Sequence, residues 1–107
     1  MAKAGTVSFI GKSGIKFVFD YWDFPGVWDN VAGVYIVAVY NLGSNTITPI
    51  YVGETDSLKE RFMAHHKQAC FDKYMANILC WWEERDFASR RTIALDLINS
   101  LKPICNQ

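Results

Sequence analysis

The sequence predicts an α+β fold, a small antiparallel sheet of three or more strands flanked by helices. Apolar residues alternate with a period of two over residues 7–19, and two more β-rich runs follow between residues 33 and 52. Helical patterns and one further strand occupy the rest of the chain up to residue 101. The chain has 107 residues, of which 50% are hydrophobic and 15% aromatic. That composition is typical of one ordered domain, here residues 1–107.

Turn-forming residues divide the predicted strands. Gly11-Lys12-Ser13-Gly14 interrupts the first alternating stretch, so a hairpin is expected there, and residues 1–32 would extend the sheet. Residues 33–40 are apolar on both faces, which is typical of a central strand. Residues 41–45 are the predicted loop to a return strand over residues 47–52.

The register of this second hairpin decides where two tyrosines point. If Tyr35 faces Tyr51, both phenols leave the same side of the sheet, and the loop then covers residues 41–45. A loop one residue shorter or longer would place them on opposite sides, because side chains alternate along a strand.

Three helices are predicted after this hairpin. The first begins at the capping box Ser57-Leu58-Lys59-Glu60, and the second runs over residues 67–75. A strand over residues 76–82 precedes a last helix, which starts at the N-cap Asp86 and ends near Leu101. The apolar stripe of that last helix consists of Ile93, Leu97, Ile98 and Leu101.

Charge and cysteine usage exclude several classes of protein. The 11 lysines and arginines balance the 11 acidic residues, which excludes a polybasic binder but not a local basic patch. None of Cys70, Cys80 and Cys105 belongs to a CxxC pair, and the two histidines are adjacent, so no zinc site is expected. All three thiols are predicted to be reduced, as is usual in a cytoplasmic protein.

The sequence predicts no export or membrane segment. No apolar segment follows the initial MAKAG, and the longest apolar run covers residues 31–40, whereas a bilayer needs about 20 residues. We therefore expect a cytoplasmic protein without membrane contact. The sequence does not determine its oligomeric state.

Two tyrosines, an arginine and a histidine occur at a spacing that suits phosphodiester chemistry. Tyr35 ends the motif Gly33-Val34-Tyr35, and Tyr51 begins Tyr51-Val52-Gly53 one hairpin later. Arg61 and His65 follow four residues apart, so on one helix they would share a face. A phenol or an imidazole can orient or deprotonate water, and a guanidinium can neutralise charge on a five-coordinate phosphorus.

Taken together, these motifs resemble those of the GIY-YIG nucleases, a family of DNA-cutting enzymes. The resemblance covers residues 33–106. The matching positions are Gly33-Val34-Tyr35, Tyr51-Val52-Gly53, Leu58, Arg61, His65, Leu97-Ile98, Pro103 and Asn106. The resemblance implies a GIY-YIG-like fold and endonucleolytic hydrolysis of DNA, single-stranded or duplex, by one-step attack of water.

The resemblance also implies a role for each residue of the site. Tyr35 or Tyr51 would activate the water, and His65 would assist, either by helping Tyr35 to lose its proton or by contacting the phosphate. Arg61 would stabilise the five-coordinate phosphorus. Gly53 and Asn106 match the family motif and are expected to bind the substrate. Lys59 and Lys67 are expected to do so because they belong to the local basic set that follows Tyr51-Val52-Gly53.

One position departs from the family pattern. In these nucleases a glutamate on the last helix binds one divalent cation, Mg²⁺ or Mn²⁺, and counting back from Leu97 or Pro103 places Ala94 there. Asp96 lies about 200° further round the helix and should point away. Glu54 stands where many members of this family carry lysine, so it either removes a phosphate contact or replaces it with a carboxylate near the metal position. The alternative is a solvated charge at a strand end, and Glu54 is not counted as a ligand. Because a methyl group cannot hold a cation, metal is expected in an active form only.

Two explanations of Ala94 are open. A glutamate could have been changed to alanine in an active enzyme so that uncut substrate is trapped, or the chain could be a natural module that binds nucleic acid without cutting it. The first is favoured because every other site residue is in place. A protein-interaction domain with no nucleic-acid role is a third hypothesis.

The tryptophans bear on the substrate. They are Trp22, Trp28, Trp81 and Trp82. Neighbouring strand residues face opposite ways, so one of Trp81 and Trp82 is expected in the core, with the other exposed or covered by the N-terminal segment. An exposed indole can stack on a base with about 1–3 kcal/mol, which makes single-stranded DNA a candidate substrate. The alternative is that the tryptophans serve the core.

Overall fold

The computed structural model describes residues 3–107 and has the predicted α+β architecture. Five antiparallel strands form one sheet in the order β1-β2-β5-β3-β4. The strands are β1 (Gly5–Ile10), β2 (Lys16–Asp23), β3 (Gly33–Asn41), β4 (Thr46–Thr55) and β5 (Ile78–Glu83). The helices are α1 (Leu58–Arg61), α2 (Gln68–Lys73) and α3 (Phe87–Leu101), followed by a 3₁₀ turn over Ile104–Asn106.

The strand β3 lies inside the sheet, and both of its faces are covered. On one face Ile36 packs in a cluster with Ala94 and Leu97 of α3. On the other face Tyr35 packs in a second cluster with Phe71 of α2. Two covered faces explain why this strand is apolar throughout, as predicted for a central strand.

The N-terminal hairpin joins the sheet on the far side of β5. Tyr21 of β2 pairs with Cys80 of β5, and β1 pairs only with β2 among the described strands. Phe17 and Phe19 of β2 enter the cluster that α3 covers. The hairpin therefore supplies part of the core as well as the edge.

The β3–β4 register differs from the prediction in its details. The pair Asn41 and Thr46 closes the hairpin, so the loop covers residues 42–45 and is one residue shorter than expected. A bulge between Val37 and Ala38 then shifts the pairing. Because one residue of β4 is left unpaired there, the shift restores the alternation that the shorter loop would have reversed. Tyr35 and Tyr51 consequently share a face after all, although Tyr35 pairs with Gly53 and Tyr51 pairs with Val37.

The first helix is shorter than the spacing of Arg61 and His65 requires. Ser57 caps α1 by accepting a hydrogen bond from the Glu60 amide, but the helix ends at Arg61. The prediction that Arg61 and His65 share a helical face is therefore wrong. A helix this short depends on tertiary contacts, and the chain turns after it so that Phe62 enters the second core cluster.

The last helix agrees with its prediction. Asp86 caps α3 by accepting a hydrogen bond from the Ser89 amide at 2.9 Å. Leu97 is fully buried, and Ile93, Ile98 and Leu101 pack around the same cluster. The carboxylate of Asp96 accepts hydrogen bonds from the amide and hydroxyl of Ser13 at 2.8 and 2.6 Å, so it points away from Ala94 as expected.

The prediction of three reduced thiols is wrong for two of them. Cys70 of α2 and Cys105 of the 3₁₀ turn form a disulfide, with Cα atoms 5.9 Å apart, and Cys80 is a buried free thiol. The two partners are separated by 35 residues in the chain, so their proximity depends on tertiary packing that spacing does not reveal.

The two adjacent tryptophans of β5 face opposite sides of the sheet, as predicted, and the N-terminal hairpin covers Trp82. Both are half-buried, because each sheet face has its own cover. Trp82 contacts Phe17 with ring centroids 5.7 Å apart, and Trp81 packs against the cluster on the opposite face. None of the helices described within residues 3–107 has the length and apolar character needed to cross a membrane.

Candidate functional site

Tyr35 is the buried centre of the candidate site. Its side chain is 1% exposed, and its hydroxyl lies 2.6 Å from Nε2 of His65. Burial is the main reason why the pKa of Tyr35 lies far above its usual value, and the neighbouring Tyr51 raises it further. Tyr35 is therefore a neutral phenol in the folded protein.

His65 is held as the donor of this hydrogen bond. Its Nδ1 accepts a hydrogen bond from the Lys67 amide at 3.0 Å. The neutral ring must then carry its proton on Nε2, which donates to the Tyr35 oxygen. In this arrangement His65 cannot take the proton of Tyr35, because its facing nitrogen already holds one.

Burial is also the main cause that lowers the pKa of His65, to about 4. The cationic groups of His66, Arg61 and Lys67 lower it further. His66 stacks on His65 with ring centroids 4.9 Å apart but is itself exposed. His65 is consequently neutral at pH 7, which agrees with its hydrogen bonds.

Tyr51 is the phenol that an outside molecule can reach. It is half-buried, lies on the same sheet face as Tyr35, and its ring centroid is 6.0 Å from that of Tyr35. Burial raises the pKa of Tyr51, whereas the hydrogen bond with Tyr35 and the charge of Arg61 lower it. The same phenol–phenol hydrogen bond raises the pKa of Tyr35. Burial has the largest effect, so the pKa of Tyr51 is raised overall and both tyrosines are neutral phenols.

Gly53 provides the space that Tyr35 occupies. The two residues are paired across β3 and β4. A Cβ at Gly53 would lie 2.5 Å from the hydroxyl oxygen of Tyr35 and 2.8 Å from a ring carbon of Tyr51. Gly53 was expected to bind the substrate, and the structure adds a packing role, because its lack of a side chain makes room for the two tyrosines.

A cavity of about 230 Å³ connects Tyr51 to the position expected to bind metal. Ala94 is 5% exposed and lines this cavity together with Tyr51, Gly53 and Asn106. The amide of Asn106 donates to the Val52 carbonyl at 2.9 Å and accepts from the Val52 amide at 2.8 Å. Asn106 therefore closes the free edge of β4 beside the cavity.

Glu54 is not a solvated charge, so that alternative is wrong, but it does line the cavity of Ala94, as the other alternative predicts. Its carboxylate accepts a hydrogen bond from Nε of Arg90 at 2.8 Å, and the Arg90 side chain is 7% exposed. The Arg90 guanidinium also donates to the carbonyl of Arg85 at 2.8 Å. Arg91 lines the cavity of Ala94. Sequence reasoning missed both arginines, although Arg90 precedes Ala94 by one helical turn and so shares its face.

The cationic residues expected at the site divide into two groups. Arg61 is exposed, and its charge lowers the pKa of Tyr35, Tyr51 and His65, so it is close to all three. Lys67 is next to His65: its amide donates a hydrogen bond to His65, and its charge lowers the pKa of His65. Lys59 is exposed on α1, and its amide bonds the Asp29 carbonyl. Among the described residues, no contact joins the Lys59 side chain to the site.

No protein-family model, no curated protein and no solved structure matches this chain.

The residues present at Ala94 do not fit a divalent cation. Within residues 3–107 no group of three or more His, Cys, Asp or Glu residues is close enough together to hold a metal ion. Glu54 lines the cavity, but its carboxylate is already paired with Arg90. A hard cation needs several free oxygen ligands. Besides Glu54, the described polar residues that line the cavity are Tyr51, Asn106 and Arg91, and the others are apolar or glycine.

Proposed function

We propose that this chain is a GIY-YIG-type DNA endonuclease domain in an inactive form, with alanine at the position of the metal-binding acid. One observation carries the proposal: Ala94 and Tyr51 line the same cavity although they come from a helix and a strand 43 positions apart in the numbering. The Tyr35–His65 pair packs against Tyr51, whereas Arg61 lines a neighbouring hollow with Ser57 and acts on Tyr51 through its charge. A phenol, an imidazole and a guanidinium are residue types that suit attack on a phosphodiester.

The roles of the two tyrosines follow from their burial and hydrogen bonds. Tyr51 is the phenol that orients or deprotonates a water, because it is the accessible one of the two. Burial raises its pKa, and Tyr35 and Arg61 oppose that rise in part. Tyr35 and His65 position it through their hydrogen bonds. Arg61 neutralises charge on the phosphate, where an exposed guanidinium is free to make paired hydrogen bonds.

Restoring an acid to the cavity tests the proposal. The Ala94→Glu variant, with Mg²⁺ or Mn²⁺, should cut at least one member of a panel of single-stranded, duplex and branched DNA. The matched control is Ala94→Gln, which has the same shape without the charge and should be at least 100-fold slower. In the Ala94→Glu background, Tyr51→Phe should reduce the rate by a similar factor. An Ala94→Glu protein that folds but cuts none of these DNAs with either metal would refute the enzymatic proposal.

The second candidate is a natural module that binds nucleic acid without cutting it. It is favoured by the Glu54–Arg90 ion pair, because Glu54 is the one acidic residue among those described that line the cavity of Ala94, and a cationic residue, Arg91, lines it too. Both candidates predict that Arg61→Ala weakens DNA binding at low salt, whereas binding that is unchanged would support a protein-interaction domain. The cleavage assay with Ala94→Glu separates the two nucleic-acid candidates.

A further inference from the structure

We propose that a second pocket, lined by three tryptophans, binds an alkylated ammonium group. The pocket has a volume of about 310 Å³, and its lining includes Trp22, Trp28 and Trp81. Two acidic residues, Asp29 and Glu83, also line it. None of these residues lines the cavity of Ala94, and the proposal does not depend on the proposed nuclease function.

The fold brings the three indoles together from two strands and a connecting segment. Trp22 of β2 pairs with Leu79 of β5, so it lies on the same sheet face as Trp81, two residues further along β5. Trp28 belongs to the segment between β2 and β3 and packs against the cluster on this face. Its ring meets that of Phe62 at 6.3 Å in a T-shaped contact.

The Trp81 ring packs directly against the backbone of a glycine, Gly33. A Cβ at Gly33 would lie 2.7 Å from Cη2 of Trp81, so the indole occupies the space beside this glycine. Gly33 pairs with Glu83, which lines the pocket on the same sheet face as Trp81. The aromatic wall and one of the two charges are therefore fixed by the same pair of strands.

The charges determine which ligand chemistry fits. Indole rings attract cations more strongly than other aromatic side chains, and recognition of alkylated ammonium groups commonly uses such rings. None of the described residues that line the pocket is a lysine or an arginine. Within residues 3–107 neither Asp29 nor Glu83 forms an ion pair. A nucleotide could stack on the indoles, but its phosphate would be repelled by two unpaired carboxylates.

Choline is a suitable probe because it has an uncharged isostere, the alcohol in which carbon replaces the quaternary nitrogen. Both compounds are titrated into the full chain, and binding is followed by tryptophan fluorescence and by the NMR resonances of the indole N–H groups. We expect saturable binding of choline and at least fivefold weaker binding of the isostere. Equal binding of the two, or no binding of choline, would overturn the proposal without any variant being needed.

Variants localise the binding. Trp28→Leu and Asp29→Asn should each weaken choline binding at least fivefold, whereas Trp82→Leu, on the opposite sheet face, should leave it within twofold. Unchanged binding in both pocket variants would contradict the proposal.

Two further probes identify the source of the ammonium group and test the competing ligand. A short peptide with trimethyllysine, compared with the same peptide unmodified, distinguishes a protein side chain from a small molecule. If choline binds, tighter binding of the modified peptide than of choline indicates a protein side chain, and binding of choline alone indicates a small molecule. Tighter binding of deoxyadenosine monophosphate than of choline at these indoles would overturn it in favour of base stacking.

Discussion

At the scale of single residues, the candidate site depends on side chains that burial and hydrogen bonds hold in one conformation. Tyr35 is almost completely buried and receives a hydrogen bond from His65, whose other ring nitrogen is bonded to the Lys67 amide. Gly53 leaves the space into which the Tyr35 hydroxyl fits. Burial keeps Tyr35 and His65 neutral, so the group left for proton chemistry is the half-buried Tyr51.

Gly53→Ala should destabilise the protein because the new methyl group would lie 2.5 Å from the Tyr35 hydroxyl. Tyr35 cannot move away without disturbing the core, so we expect a loss of about 1–3 kcal/mol in the free energy of unfolding, measured with denaturant. Gly43→Ala is the matched control, since the nearest atom to its Cβ would be 3.3 Å away on an exposed loop. A loss at Gly53 no greater than that at Gly43 would contradict the packing role.

His65 should make stability depend on pH. Its pKa is lowered from an ordinary value of 6.5 to about 4 in the folded protein, so between these values the unfolded chain binds more protons. Stability is therefore complete above about pH 6.5 and is lost as the pH falls towards 4. Relative to His65→Gln, which cannot titrate, the protein should lose on the order of 3 kcal/mol more between pH 7 and pH 4. Parallel stability curves for the two proteins would count against this assignment.

At the scale of elements, short segments are positioned by links to longer ones. The 3₁₀ turn over Ile104–Asn106 is joined to α2 by the disulfide of Cys70 and Cys105, and to the edge strand β4 by Asn106. The helix α2 in turn places Phe71 against Tyr51, with ring centroids 5.6 Å apart. The disulfide therefore joins two elements that both border the candidate site.

Reduction of this disulfide should lower the free energy of unfolding by about 2–4 kcal/mol, because a covalent link across 35 positions restricts the unfolded chain. The measurement is denaturant unfolding with and without reductant, and the Cys105→Ser variant, already destabilised, should show no further effect of reductant. Thiol labelling of the denatured, unreduced protein should find one reactive cysteine, Cys80. Finding three would show that the disulfide does not form.

At the scale of the whole molecule, the candidate site exists because β4 is the edge strand of a sheet covered on both faces. Tyr51 projects on one face, whereas Ala94 lies on the helix that covers the other face. They can line one cavity only around a free edge, and Asn106 occupies the backbone groups of that edge. If β4 were an interior strand, the next strand of the sheet would lie between Tyr51 and Ala94.

Much of the architecture could be predicted from local pattern. Alternation of apolar residues predicts the first hairpin, a doubly apolar run predicts the central strand, and the cap at Asp86 predicts the start of α3. These features depend on interactions between residues close in sequence or on burial averaged over a face. The orientation of Asp96 away from Ala94 follows from helix geometry alone in the same way.

Other features were decided by tertiary contacts between distant residues. The disulfide of Cys70 with Cys105 and the ion pair of Glu54 with Arg90 join segments that are far apart in the chain. The bulge after Val37 and the end of α1 at Arg61 depend on packing between such segments. Periodicity in one sequence describes which face a residue prefers but not which distant partner it meets. Thus the amino-acid sequence by itself determined the kinds of elements and the two phenols of the site, whereas only three-dimensional packing decided which phenol is accessible, because burial and hydrogen bonding depend on every element that covers it.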